Sequence, residues 1–146
     1  MIGRLLLKAD FERVLAVPPC SRSAHFALHH LQVRPALSSR SAGPEICTDG
    51  APFSDQAVDK SRCRHWLGYV IPKRHAARSV TRNMLRRQVR AALLRHHERL
   101  RPGLWLVRLR QPFARSAGFV SADSTVLRAA ASAELERLFA RAASQC

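Results

Sequence analysis

Across Pro72 the apolar period of the chain changes, and that change limits the possible folds more than any other feature. Before it, residues 65 to 71 alternate, with Leu67, Tyr69 and Ile71 on one side and Trp66, Gly68 and Val70 on the other, as in a strand. Pro72 has no N–H to give a ladder and ends the run. After the basic pair Lys73-Arg74, residues 79 to 100 follow a helical repeat that Pro102-Gly103 closes, and residues 104 to 109 predict another strand. A strand that hands over to a long helix and then to a second strand predicts a fold in which helices pack on a sheet.

The rest of the chain extends that pattern. Residues 9 to 17 place Phe11, Val14 and Leu15 at helical spacing, with Asp10 and Glu12 near the start, where the positive end of the helix dipole favours them. Pro18-Pro19 stops this helix, and residues 24 to 33 predict a strand with Phe26 and Leu28 on one face and His25, Ala27 and His29 on the other. Residues 124 to 143 carry Leu127, Ala131, Leu135, Leu138 and Ala142 along one helical stripe. Between residues 34 and 64, Pro35, Ser38-Ser39, Gly43-Pro44, Asp49-Gly50 and Pro52 follow one another without an apolar period, which reads as a mobile, disordered insertion. The expected order is α-β-β-α-β-α, an α+β two-layer sandwich in a single domain, residues 1 to 146, without internal repeats.

Charge narrows the partner. Lys+Arg number 25 against 10 Asp+Glu, a net +15, and only Lys8, Lys60 and Lys73 are lysines. The planar guanidinium suits phosphate oxygens and base edges better than an ammonium does, so nucleic acid leads. A genome-wide bias towards arginine would instead scatter it without pattern. Five basic and four acidic residues in 34 to 64 cancel to +1, leaving +14 for the remainder. Cys20, Cys47, Cys63 and Cys146 form no C-x-x-C pair, so neither a zinc knuckle nor a disulfide framework is signalled. No apolar run approaches a membrane span, and Met1 to Lys8 is too short for a signal peptide before Asp10 and Glu12. The expectation is a cytoplasmic protein with reduced thiols and no membrane partner.

The pattern that scattering would not give lies on the long helix. At about 100° per residue, Arg82, Asn83, Arg86, Arg87 and Arg90 share a sector of roughly 140°, while Leu85, Val89 and Ala92, extended by Thr81 and His96, occupy the neighbouring one. A solvated helix face usually mixes signs, yet Glu98 is the only acidic residue between Lys73 and Arg101. These cations repel one another unless an anion neutralises them. An Arg-rich face with no partner is the plainer account. If about five phosphates of a single strand are neutralised, the log–log salt slope should be about −3.5.

Lys73-Arg74, seven residues, then Arg82-Asn83-Met84-Leu85-Arg86-Arg87-Gln88-Val89-Arg90 resembles the Arg-Asn-Arg signature of the bacterial ribonuclease P protein subunit family. Lys8 to Leu15 is similar to that family's first helix, Leu67 to Ile71 to its central strand, and Leu104 to Leu109 and Leu135 to Phe139 fall in the expected order. Met84 stands where the signature has its second Arg, outside the basic sector. His29 and Leu15 stand where the first strand and first helix usually carry aromatics, and residues 34 to 64 exceed the usual hairpin connection.

The resemblance implies the fold of the ribosomal-protein S5 second domain, with the signature helix in a left-handed βαβ crossover. It implies contact between the catalytic RNA and Lys73, Arg74, Arg82, Asn83, Arg86, Arg87 and Arg90, and a cleft for the single-stranded 5′ leader of precursor tRNA at Phe11, Leu15, His29 and Val70. It further implies hydrolysis of one phosphodiester, supported by Mg2+ held mainly by the RNA, with no catalytic residue in the protein. Phe11 reads equally as a core residue of its helix or as a base-stacking platform, and His29 as structural or as a leader contact. A non-enzymatic RNA-binding module, such as a ribosomal or assembly protein, would share the charge and the fold. A DNA-binding regulator needs a second helix just upstream of the basic one, where this chain has a strand and Lys73-Arg74, so DNA is not the expected partner. Adjacent His29-His30 and His96-His97 diverge on a strand or a helix and do not suggest a metal site.

Overall fold

A computed structural model describes residues 2–36, 65–113 and 125–145; the expected insertion therefore lies largely outside the described residues. The elements are β1 (Ile2–Arg4), α1 (Lys8–Ala16), β2 (Ser21–Arg22), β3 (Phe26–Leu31), β4 (His65–Val70), α2 (Ser79–His96), β5 (Gly103–Leu109) and α3 (Thr125–Gln145). All six expected elements are present. Two short strands add to them, so the order α-β-β-α-β-α is incomplete: β1 pairs in parallel with β4, and β2 pairs antiparallel with β3.

The sheet runs β1-β4-β5-β3-β2. β5 is its centre, parallel to β4 and antiparallel to β3, and α2 is the crossover between the two parallel strands. Alternation divides the sheet into two faces. Phe26, Leu28, Leu67, Trp105, Val107 and Leu109 join Leu85 and Leu93 of α2 and Leu135 and Phe139 of α3 in one buried cluster. On the opposite face Trp66, Leu104 and Leu106 pack with Leu5 and with Val14 of α1, and Phe11, Leu31 and Val70 border them. The expected two layers thus become three, because α1 buries its apolar stripe on the face away from α2 and α3.

Two glycines make this packing possible. A Cβ on Gly68 would lie 2.8 Å from Phe11 Cε1 and 2.9 Å from the Leu106 and Leu5 methyls, so the bare backbone lets α1 sit directly on β4. Gly103 opens β5 at φ 140°, a conformation that side chains disfavour, against the Leu31 carbonyl.

Candidate nucleic-acid interface

Between β4 and α2 the chain turns tightly, with the His75 and Ala76 N–H groups donating to the Pro72 carbonyl. Lys73 and Arg74 are exposed on this turn. α2 then starts without a side-chain cap. Arg82 reaches back across this start without capping it: its guanidinium donates to the carbonyls of Ala76 at 2.9 Å and Ala77 at 2.7 Å. That guanidinium is engaged in holding the turn that carries Lys73 and Arg74, a role for which sequence spacing gave no signal.

Asn83, Arg86, Arg87 and Arg90 are exposed, whereas Leu85, Val89 and Ala92 are buried, so the helix has the two expected faces. The Arg86 guanidinium donates to Asn83 Oδ1 at 3.2 Å. Met84 belongs to the buried cluster under α2; the signature position it occupies faces the core.

The two halves of α2 differ in how their charge is met. Towards its C-terminus, Arg95 pairs with Glu136 of α3, and His96 Nε2 lies 2.6 Å from the same carboxylate. Burial pushes the Glu136 carboxyl up, but hydrogen bonds from His96 and Arg95 and the Arg95 charge outweigh it and hold it below the usual range. For Arg86, Arg87 and Arg90 no described carboxylate plays this part.

Phe11, Leu15, His29 and Val70, the residues expected to line a leader cleft, come together from α1 and the sheet face beneath it. Phe11 lies over Gly68, with Val70 two residues further along the same strand face. Leu15 is 36% exposed at the rim. His29 is 6% exposed, not open to solvent as a strand face would suggest, and its Nδ1 lies 2.9 Å from the Val17 carbonyl at the end of α1. Donation to that carbonyl from Nδ1 fixes the ring at the end of α1 and leaves Nε2 for other partners.

Two carboxylates make contacts that sequence spacing does not signal. Asp10 is buried, pairs with Arg13 at 3.3 Å and accepts the Ala36 N–H at 3.0 Å, tying the chain beyond β3 to α1. Glu134 accepts from the Ser23 hydroxyl at 2.5 Å and the His25 N–H at 2.7 Å and meets the His25 ring at 2.8 Å, fastening the β2–β3 turn to α3. Among the described residues no three His, Cys, Asp or Glu side chains converge to hold a metal ion, and no described helix is long and apolar enough to cross a membrane.

A mixed sheet with helices on both faces and one helix whose exposed guanidiniums meet no described carboxylate defines a basic α+β protein. Comparison with known proteins makes that class specific. The family model described as Ribonuclease P matches residues 3–142. The Ribonuclease P protein component of Paraburkholderia xenovorans (strain LB400) is 32% identical over 143 residues, spanning 97% of this chain and 81% of that protein. The component of Burkholderia mallei (strain SAVP1) is 30% identical over 141 residues, spanning 97% and 82%. The fold is similar to that of the Staphylococcus aureus RNase P protein, with TM-score 0.55 and 18% identity over 94% of this chain and 92% of that one. The chain belongs to the ribonuclease P protein family and is a subunit of that ribonucleoprotein.

Proposed function

We propose that the exposed face of α2, together with Lys73 and Arg74, binds the catalytic RNA of ribonuclease P, and that the sheet face under α1 receives the 5′ leader of precursor tRNA. The observation that carries this reading is the contrast within α2. Towards its C-terminus Arg95 is paired with Glu136 from α3, whereas Arg86, Arg87 and Arg90 meet no described carboxylate. A helix face of this kind is stabilised by an anion from outside. Six residues of the signature set present their side chains to such a partner, and Arg82 holds the turn that orients two of them.

In the leader cleft, half-buried Phe11 and Val70 border the same apolar cluster, with Leu15 at the rim and His29 on the same sheet face. Stacking of a base on an aromatic ring contributes about 1–3 kcal/mol and tolerates any sequence, which suits a leader that differs between tRNA precursors. The holoenzyme hydrolyses one phosphodiester to leave the mature tRNA 5′ end. In this reading Mg2+ is held mainly by the RNA, and the hydrolysis calls on no catalytic residue of this chain. The reading also carries an S5-like arrangement with a left-handed β4-α2-β5 crossover, residues 34 to 64 as an insertion in a single domain, and a cytoplasmic setting.

The test is reconstitution with a bacterial ribonuclease P RNA and precursor tRNA at low Mg2+. The protein should stimulate 5′ cleavage over RNA alone, and Arg86→Ala with Arg90→Ala should weaken RNA-subunit binding and flatten its log–log salt slope by about 1.4. Absence of stimulation would sink the reading.

A further inference from the structure

Strand register gathers two arginines that are distant in sequence. Arg22 of β2 pairs with Ala27 of β3, Ala27 pairs with Arg108 of β5, and Arg108 pairs with Val70 of β4. The four therefore form one row across the α1 face of the sheet. With neighbouring strands about 4.8 Å apart, the backbones of Arg22 and Arg108 are separated by about 10 Å, and Ala27 between them projects only a methyl group. α1 does not cover the row. Its Phe11 rests over Gly68, which belongs to the adjacent row with Leu106 and His29, and Arg22 and Arg108 are both exposed.

Arg108 is the informative member. It interrupts the otherwise buried series Leu104-Trp105-Leu106-Val107-Leu109 on the central strand, where its sheet neighbours are Ala27 and Val70. No described carboxylate pairs with Arg108 or Arg22. A guanidinium held on a sheet floor, beside apolar groups that lower the local dielectric, attracts an anion more strongly than one on a mobile surface stem. The helix α2 packs on the opposite face of the sheet, so this row is a second cationic surface, separate from the Arg86–Arg90 face.

We infer that Arg22 and Arg108 form a phosphate-binding row that takes the backbone of single-stranded RNA beyond the Phe11–Val70 surface. This rests on the proposed leader cleft. Bases held against Phe11 and Val70 leave their phosphates pointing along the sheet, and Arg108 next to Val70 meets the first of these, Arg22 the next. The strand bound is the precursor's leader, since the catalytic RNA is assigned to the other face.

The experiment compares Arg108→Ala, Arg22→Ala and Phe11→Ala in the reconstituted holoenzyme. It measures affinity for precursor tRNA with a long leader, for precursor with a leader cut to two nucleotides, and for mature tRNA, along with affinity for the RNA subunit. Each arginine variant should weaken long-leader binding about threefold to tenfold and reduce the salt slope by about 0.7. Short-leader, mature-tRNA and RNA-subunit binding should not change. Loss of RNA-subunit affinity would mean that the row contacts the catalytic RNA and would overturn the inference. So would long-leader binding unchanged in both arginine variants while Phe11→Ala weakens it, an outcome that leaves the leader cleft standing. If Phe11→Ala also leaves long-leader binding unchanged, the cleft itself fails. Arg108→Lys, which keeps the charge, should recover part of the affinity and the wild-type salt slope; a salt slope as flat as that of Arg108→Ala would overturn the phosphate contact.

Discussion

Met84 shows how a signature position can be absorbed by the core. On the helical wheel it lies outside the basic sector, and in the fold it packs within the cluster shared by α2, α3 and the sheet. Placing the family's arginine there would drive a guanidinium into an apolar site with no described acid beside it. Met84→Arg is therefore expected to lower unfolding free energy by about 2–4 kcal/mol in a denaturant titration without tightening RNA binding. Improved RNA affinity at unchanged stability would contradict the burial of this side chain. Arg82 presents the converse case: a residue read as a contact is engaged with the Ala76 and Ala77 carbonyls. Composition and wheel position identify an arginine as basic and surface-facing, but not whether its donors are already taken.

At the scale of elements, two glutamates on α3 fasten what the apolar stripes alone leave unspecified. Glu136 secures α2 through Arg95 and His96, and Glu134 secures the β2–β3 turn through Ser23 and His25. Burial pushes the Glu134 carboxyl up, but hydrogen bonds from the Ser23 hydroxyl and from the His25 backbone and ring outweigh it and hold it below its usual range. A carboxyl depressed in the folded state adds stability that is complete above its unfolded value and is lost as pH falls through the lower folded value. Thermal melts of the wild type should thus decline more steeply from about pH 5 to about pH 3 than those of Glu134→Gln, which should already have lost about 1–2 kcal/mol at neutral pH. Parallel declines would assign the acid limb to other groups. Neither clasp was legible beforehand, because each joins residues more than 100 positions apart in one case and 40 in the other. The three helices and β3, β4 and β5 were legible, since each run is long enough to display its period. β1 and β2, of three and two residues, exist only through their partners, and a period cannot be read from so few positions. Asp10 was read through the helix dipole, yet its buried carboxylate is met by an N–H from residue 36.

For the whole molecule, the strand order β1-β4-β5-β3-β2 places the most apolar strand at the centre, with α1 on one side and α2 and α3 on the other. Protection in native-state hydrogen exchange should follow that order: amides of β5 that bond to β3 and β4 exchange last, near the global opening, and those of β1 and β2 first. Uniform protection across the five strands would argue against such a graded assembly. The candidate leader surface and the α2 face lie on opposite sides of this central strand, so both depend on one element for their spacing.

That central strand is also the last of the five to leave the ribosome. Until residues 103–109 emerge, β3 has only the two-residue β2 for company, and β4 only β1. A nascent chain must hold the β2–β3 pair with an unpaired apolar edge through the synthesis of more than 70 residues, and the β1–β4 pair through that of more than 30. Slow, non-local closure of this kind exposes a chain to mispairing. The vulnerable period in the life of this protein is therefore its synthesis, when pausing upstream of Gly103 would extend the exposure of both edges.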